Sequence, residues 1–161
     1  MKRLATLHPR SPTHEDPFDL HADRFRVLIS GDDTHGRFAT VEVRGRRSFE
    51  LPVHVHTFED ELVVVLEGEL DVRIDEETRR ASVGDVVLLP CGVPHEVKLR
   101  SDTARLVVTY SPAGFERFLR EVSRPASTSV DDAFDPGVPN VPLLVTVGEQ
   151  YGVTFYPSRE C

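Results

Sequence analysis

Three histidines and one glutamate near the middle of the chain have the residue types and the spacing of a metal site. His54 and His56 are separated by one valine, Glu61 follows soon after them, and His95 stands at the end of a segment rich in Gly and Pro. Side chains two positions apart on a strand point to the same face, so both imidazoles of the first pair can reach one ion. A helix would turn the same two side chains about 200° apart. The spacing therefore predicts a metal centre on adjacent β-strands.

The donor set limits the choice of metal. Three neutral imidazoles and one carboxylate suit a divalent transition ion such as Fe, Mn, Ni, Zn or Cu, whereas Ca and Mg bind mostly oxygen ligands. Four ligands leave one or two positions for water, dioxygen or a substrate, which is typical of catalytic rather than structural metal sites. We therefore predict one divalent transition metal ion as the cofactor, held by His54, His56, Glu61 and His95. A detached Glu61 carboxylate can also act as the catalytic base.

Exposure of the first two histidines to solvent is the alternative interpretation. In the run 49–56 apolar residues alternate with His54 and His56, and an isolated amphipathic strand of this kind would turn both imidazoles outward. The run 62–66 is apolar without interruption, which indicates a strand buried on both faces, and apolar and charged residues alternate after His95. We therefore expect the histidines to point inward.

This orientation has a consequence for the opposite face of the same strands. Its apolar side chains must then be covered by a partner subunit or by the chain's own ends, and we predict a homodimer. The side chains that need cover are Val53, Val55, Leu62, Val64 and Leu66.

Glu59 is the nearest rival of Glu61 as the carboxylate ligand. We interpret Glu59 as part of a solvated acidic turn with Asp60. The remaining histidines lie in polar stretches that contain Pro or Gly, without strand spacing to the cluster, so we expect surface side chains. They are His8, His14, His21 and His35.

Length, charge and cysteine content exclude several classes of protein. With 161 residues the chain is expected to form one domain with a substantial core. A formal net charge of -8 and the lack of a dense Lys/Arg stripe argue against nucleic-acid binding. No apolar run of about 18 residues and no secretion signal are visible, and two cysteines, Cys91 and Cys161, argue against a disulfide framework. We expect a cytoplasmic protein with a small-molecule substrate and no nucleic-acid or membrane partner.

Short apolar runs with turn signals between them recur from residue 24 to residue 110. Many short strands at even spacing predict a β-sandwich or barrel. Gly68 and Gly84 stand between runs, where tight reversals need positive φ. The predicted strands span 25–29, 38–43, 49–56, 61–66, 69–74, 79–83, 85–89, 95–100 and 104–110. We assign 24–110 to the barrel and the polar, Pro-containing segment 1–23 to an N-terminal arm.

The pattern changes after Tyr110. In the run 115–122 apolar residues fall at helical spacing on one face and charged residues take the other, which predicts an amphipathic helix. A second helix is predicted to begin at Pro142, because Pro is favoured at a first helical position, and to end before Gly152. We assign 111–161 to a helical C-terminal extension packed on the barrel, where it would help to cover the apolar outer face.

The spacing of the site residues resembles the two motifs of the cupin family. The first motif is written Gly-x5-His-x-His-x(3 or 4)-Glu-x6-Gly, and the second is Gly-x5-Pro-x-Gly-x2-His-x3-Asn. The first is matched by His54, His56, Glu61 and Gly68, with Ser48 in place of the leading Gly. The second is matched by Gly84, Pro90, Gly92 and His95, with Leu99 in place of Asn. The resemblance implies an all-β cupin jelly-roll barrel, a double-stranded β-helix, followed here by the two short helices.

The tail is similar to that of small single-domain cupins of the quercetin 2,3-dioxygenase type, in the segments 111–118 and 149–152. This resemblance implies a dioxygenase-like oxidoreductase acting on a small enol- or hydroxyl-bearing substrate, flavonol- or polyketide-like, with Glu61 accepting the substrate proton. Two alternatives stay open: a non-redox cyclase, dehydratase or isomerase that uses the metal as a Lewis acid, and a small-molecule-binding cupin without catalysis. The candidate residues for the substrate pocket are Phe58, Val63, Val97, Leu99 and Tyr110.

Overall fold

The computed structural model of the protein describes residues 16–21, 23–46, 51–126 and 140–156. Most of the predicted N-terminal arm, together with Ser48 and Cys161, lies outside these residues. Within the described ranges the chain forms twelve strands and three helices. In chain order the strands are β1 (Phe18–Leu20), β2 (Asp23–Ile29), β3 (Ala39–Arg46), β4 (His54–His56), β5 (Asp60–Glu67), β6 (Leu70–Ile74), β7 (Glu77–Ala81), β8 (Val86–Leu89), β9 (His95–Leu99), β10 (Thr103–Ser111), β11 (Arg124–Pro125) and β12 (Val153–Phe155). The helices are α1 (Gly31–Thr34), α2 (Phe115–Val122) and α3 (Val141–Gln150).

Two antiparallel sheets build the molecule. The larger sheet has the strand order β11-β1-β2-β3-β10-β5-β8, and the smaller one has the order β12-β4-β9-β6-β7. Side chains of both sheets join in one apolar core, in which Val41 and Val65 of the larger sheet and Leu70 of the smaller sheet are fully buried. This architecture confirms the predicted mostly β fold with short C-terminal helices.

Some element boundaries differ from the prediction. Helix α2 spans the predicted run, and α3 begins one residue before Pro142. The predicted strand 49–56 is reduced to the three residues of β4 among the residues described. Strands β1 and β11 were not predicted, because they are too short to carry an alternating pattern and are defined by their pairing with each other and with β2.

The C-terminal elements complete the smaller sheet and pack on the larger one. All three residues of β12 pair with β4, whereas β9 pairs with β4 only through His54 and His95. Helix α3 packs against β12, and α2 packs against α3, β1 and β3. In the part of the chain described, no helix has the length and apolarity needed to cross a membrane.

The outer face of the larger sheet retains an apolar surface at its β8 edge. Leu62 and Leu66 of β5 are 38% and 37% exposed, and Val86 and Leu88 of β8 are 60% and 54% exposed. We call these four side chains the β5–β8 patch. The C-terminal helices α2 and α3, which were expected to help cover the outer face, leave these four side chains exposed in the part of the chain that is described.

Candidate metal centre

The four predicted ligands come together between the two sheets. His54 and His56 lie on β4 and His95 begins β9, so three ligands belong to the smaller sheet, while Glu61 lies on β5 of the larger one. Alternation along β4 turns both histidines inward, where they are 5% and 0% exposed, and the single residue pair between β4 and β9 places His54 beside His95. The strand register of two separate sheets thus brings residues from three strands to one point.

The distances among the four side chains are those of a group that could hold one metal ion. One ligand atom from each residue lies within 4.8 Å of every other. The Nε2 atoms of His56 and His95 lie 3.5 Å and 3.8 Å from Oε2 of Glu61. Both Nε2 atoms are buried and have no hydrogen-bond partner among the described residues. Buried polar atoms without partners are costly, and a divalent cation bound between them would satisfy all three groups at once.

Backbone carbonyls orient two of the three imidazoles. Nδ1 of His54 lies 2.8 Å from the carbonyl oxygen of Pro52, and Nδ1 of His95 lies 3.0 Å from that of Val93. A carbonyl can only accept, so each Nδ1 carries the proton and donates it, and each Nε2 keeps a free lone pair. In both residues the lone pair therefore belongs to the nitrogen that is available to a metal.

Burial favours the uncharged forms of these side chains. Desolvation holds the pKa of His54 well below its ordinary value, with the neighbouring His95 and His56 adding to the effect. Desolvation, followed by the charge of His56, lowers the pKa of His95 to about 4. The pKa of Glu61 is raised by burial, an effect that His56 opposes and Glu59 reinforces. Neutral imidazoles are the form that binds metal, and a divalent ion would stabilise the ionised Glu61.

Glu59 does not form the solvated turn that the sequence suggested. Its side chain is 3% exposed, and its Oε2 lies 3.5 Å from Nδ1 of His56, on the side of the ring opposite Glu61. The neighbouring Asp60 is exposed and accepts a hydrogen bond from the backbone N–H of Cys91 at 2.9 Å. The prediction for Glu59 was therefore wrong, although an acidic residue three positions after a ligand histidine was a signal for this contact.

An apolar cavity with a volume of about 90 Å³ adjoins the candidate ligands His54, Glu61 and His95. Four of the predicted pocket residues line it, namely Val63, Val97, Leu99 and Tyr110. Sequence reasoning did not identify the rest of the lining: Asp23, Phe25, Val43, Gly45, Leu51, Leu106, Val108, Phe115 and Leu119.

Phe58 is not part of the cavity wall, in contrast to the prediction. Its side chain is 61% exposed and lies against Gly152, where an added Cβ would come within 2.4 Å of the ring. The turn between β4 and β5 points the ring away from the core, since the alternation that orients strand residues does not extend into a turn. Gly152 lacks the side chain that would block this contact.

Aromatic residues from the C-terminal elements surround the imidazoles. The ring of Phe115, the first residue of α2, meets the His56 ring edge to face, with 4.4 Å between the ring centroids. The ring centroids of Phe155 in β12 and of His54 lie 5.4 Å apart. Tyr110 packs on Phe115 at 4.8 Å, and burial together with the charges of nearby carboxylates raises its pKa well above the ordinary value. The phenol of Tyr110 therefore remains protonated beside the cavity.

Comparison with known proteins gives the family context of this site. A model of the family described as Cupin domain matches residues 40–110. The quercetin 2,3-dioxygenase of Bacillus subtilis (strain 168) is 33% identical over 81 residues, which are 50% of this chain and 24% of that protein. The chain thus spans about a quarter of the length of this curated relative.

Solved structures share the arrangement of the sheets. KdgF from Halomonas sp. has a TM-score of 0.58 and 19% identity, with 66% of this chain and 96% of that chain covered. A sugar phosphate isomerase of the cupin superfamily from Silicibacter pomeroyi has a TM-score of 0.51 and 25% identity, with 59% of this chain and 62% of that chain covered. The likeness to KdgF is one of fold.

Proposed function

We propose that this cupin-domain protein is a metal-dependent, dioxygenase-like enzyme that acts on a small, largely apolar substrate bearing an enol or hydroxyl group. The observation that carries the proposal is the buried group of three histidines and one glutamate beside an apolar cavity. The similarity of half of the chain to part of a quercetin 2,3-dioxygenase supports the redox form of this chemistry.

The residues of the site have separate roles in this proposal. A bound redox-active ion would supply positive charge that acidifies a substrate hydroxyl, and it would pass electrons from the substrate to dioxygen. Glu61 lies at the boundary of the ligand group and the cavity, where its carboxylate is placed to accept the substrate proton. The protonated phenol of Tyr110 can donate a hydrogen bond to a substrate oxygen. The apolar wall excludes water from the reacting atoms.

The charge of the cavity supports a neutral substrate. Among the lining residues described, Asp23 and Glu61 are acidic and none is Lys or Arg. A phosphate or carboxylate group entering this cavity would lose its hydration and would find no cationic side chain among the described lining residues, so the bound ion would be its one cationic partner. The apolar lining favours instead an aromatic or aliphatic body with one oxygen directed at the ligand group.

A non-redox isomerase or cyclase is the second candidate. The same carboxylate at the metal ligands can shuttle a proton on a substrate whose hydroxyl or carbonyl is polarised by the ion, with no change in oxidation state. The likeness in fold to a sugar phosphate isomerase is compatible with this candidate. The absence of Lys and Arg from the described cavity lining makes sugar phosphates themselves poor substrates.

Metal reconstitution with and without oxygen tests the proposal. Metal-free protein would be loaded separately with Fe, Mn, Ni, Cu and Zn and offered a panel of neutral flavonol-like and enol-bearing compounds, with oxygen consumption and product mass recorded. We expect turnover that requires both dioxygen and a redox-active ion. Turnover with Zn and without oxygen would favour the isomerase or cyclase, and binding without turnover for any ion would favour a binding protein.

Two substitutions connect any activity to the site. His95→Ala should strongly lower the metal content, measured by elemental analysis of protein purified without a metal-binding tag, because it removes one of four ligands. Tyr110→Phe should keep the metal content and lower turnover, because it removes only the phenol hydroxyl. Normal metal occupancy in His95→Ala would contradict the ligand assignment.

A homodimer formed through the β5–β8 patch is part of the proposal. The patch is apolar, lies at the edge strand β8 of the larger sheet and is open in the single chain. A second copy placed against it would bury four large aliphatic side chains and cover the free strand edge.

A further inference from the structure

Two of the three candidate ligand histidines are held by the backbone, and the third is not. Nδ1 of His54 and Nδ1 of His95 each donate to a carbonyl two residues earlier in the chain. Nδ1 of His56 is fully buried and has no hydrogen-bond partner within the described ranges. Oε2 of Glu59 lies 3.5 Å from this Nδ1, and it is also buried and lacks a hydrogen-bond partner within the same ranges.

The packing around Glu59 keeps its carboxylate beside the imidazole. Gly114, directly before α2, lies opposite the Glu59 carboxylate. A Cβ at this position would lie 3.0 Å from Oε1 of Glu59. On the other side, Phe115 packs edge to face on His56 and limits rotation of the ring. Nδ1 of His56 and Oε2 of Glu59 face each other and have no hydrogen-bond partner among the described residues, so the two groups are positioned to pair with one another.

We propose that Glu59 is a positioning residue that accepts the Nδ1–H of His56 and thereby fixes the tautomer whose Nε2 lone pair faces Glu61 and His95. The proposal rests on the metal-binding function proposed above for its effect on affinity, whereas the tautomer belongs to the metal-free protein. A carboxylate that accepts from a ligand imidazole orients the ring and increases the basicity of the opposite nitrogen. Glu59 would then do for His56 what the carbonyls of Pro52 and Val93 do for the other two histidines.

Glu116 offers a matched control. It is 4% exposed, close to the 3% of Glu59, and it is one of the carboxylates whose charge acts on Tyr110, as Glu59 also is. Its two oxygens accept from the backbone, Oε2 from Gly114 N–H at 2.7 Å and Oε1 from Gly31 N–H at 3.3 Å. Replacing Glu116 by Gln removes a buried acid of the same neighbourhood without touching His56.

The first test is the tautomer of His56 in the metal-free protein, read by long-range proton–nitrogen NMR correlations of the imidazoles. We expect the Nδ1–H tautomer in the wild type, in Glu59→Gln and in Glu116→Gln, because a Gln carbonyl oxygen can still accept. We expect Glu59→Ala to lose it. The Nε2–H tautomer in the wild type, or an unchanged tautomer in Glu59→Ala, would overturn the proposal.

The second test is metal affinity, measured for Zn and Co by competition with a chelating indicator, together with the absorption spectrum of the Co-loaded protein. We expect Glu59→Ala to weaken binding by about 10- to 100-fold and to alter the Co spectrum. Glu59→Gln should lie between Glu59→Ala and the wild type, and Glu116→Gln should bind about as tightly as the wild type. Equal losses in Glu59→Gln and Glu116→Gln would overturn the positioning role in favour of general charge.

The two tests separate this inference from the proposed function. If the wild type binds neither ion and the Nδ1–H tautomer of His56 is lost in Glu59→Ala, the metal function is refuted and the positioning role is retained. A wild type that binds both ions, with unchanged affinity in Glu59→Ala, would refute the role of Glu59 and retain the metal function. If Glu59→Ala does not fold, Glu59→Gln becomes the deciding variant. A changed His56 tautomer together with wild-type metal affinity in Glu59→Gln would also overturn the proposal.

Discussion

Acid should destabilise the metal-free protein through its buried histidines. The pKa of His95 is lowered from the ordinary 6.5 to about 4 in the folded chain, where its side chain is 1% exposed. Below pH 6.5 the unfolded chain takes up a proton at this residue while the folded chain does not, so the unfolded state is favoured. The contribution of His95 is therefore fully present above the unfolded pKa and is lost as the pH falls towards 4.

The size of this loss follows from the shift. At 1.36 kcal/mol for each pKa unit, the whole effect of His95 is about 3 kcal/mol, and about 2 kcal/mol of it is reached by about pH 5. His54, whose pKa is also lowered, adds to the loss. Glu61 acts in the opposite direction, because its raised folded pKa favours the folded state as this carboxyl takes up a proton. A variant that changes only the histidine isolates the effect.

Chemical denaturation in the presence of a chelator measures this contribution of His95 to the free energy of unfolding. The free energy of unfolding of the wild type and of His95→Gln would be determined at about pH 7.5 and about pH 5. We expect the difference between the two proteins to move by about 2 kcal/mol in favour of His95→Gln at the lower pH. A difference that stays the same at both values would refute the reasoning that His95 is buried as a neutral imidazole.

Two further predictions concern elements outside the ligands. Phe155→Ala should lower the free energy of unfolding by up to about 3–5 kcal/mol, seen as a lower midpoint of thermal unfolding. It should also weaken metal binding in a chelator competition, because the Phe155 ring supports His54 and β12 aligns β4. Unchanged metal affinity would contradict a role of β12 in the site. Leu88→Asp in the β5–β8 patch should convert a dimer into a monomer in light scattering with little loss of stability, whereas a monomeric wild type would contradict the proposed dimer.

The sequence predicted that the four candidate ligands lie together, because strand periodicity fixes the geometry of the group. His54 and His56 share a face on any strand, and the glycines and prolines near His95 define where the next strand begins. Glu59 and Phe58 could not be placed in this way, because they lie in a turn where no alternation applies. The burial of Glu59 depends on the backbone of Gly114, which is distant in the chain, and the exposure of Phe58 depends on its contact with Gly152.

The family match ends at residue 110, but the site does not. Strand β4, which carries two candidate ligands, pairs with β9 at one residue pair and with β12 at three, so most of its backbone pairing within the described residues comes from the C-terminal extension. The same extension brings Phe115 against His56 and Phe155 against His54, and it supplies Gly114 opposite Glu59. The described residues of this extension, 111–126 and 140–156, are thus structural parts of the surroundings of the candidate ligands. A fragment restricted to the matched segment would keep all four ligand residues and lose the packing that orients two of them.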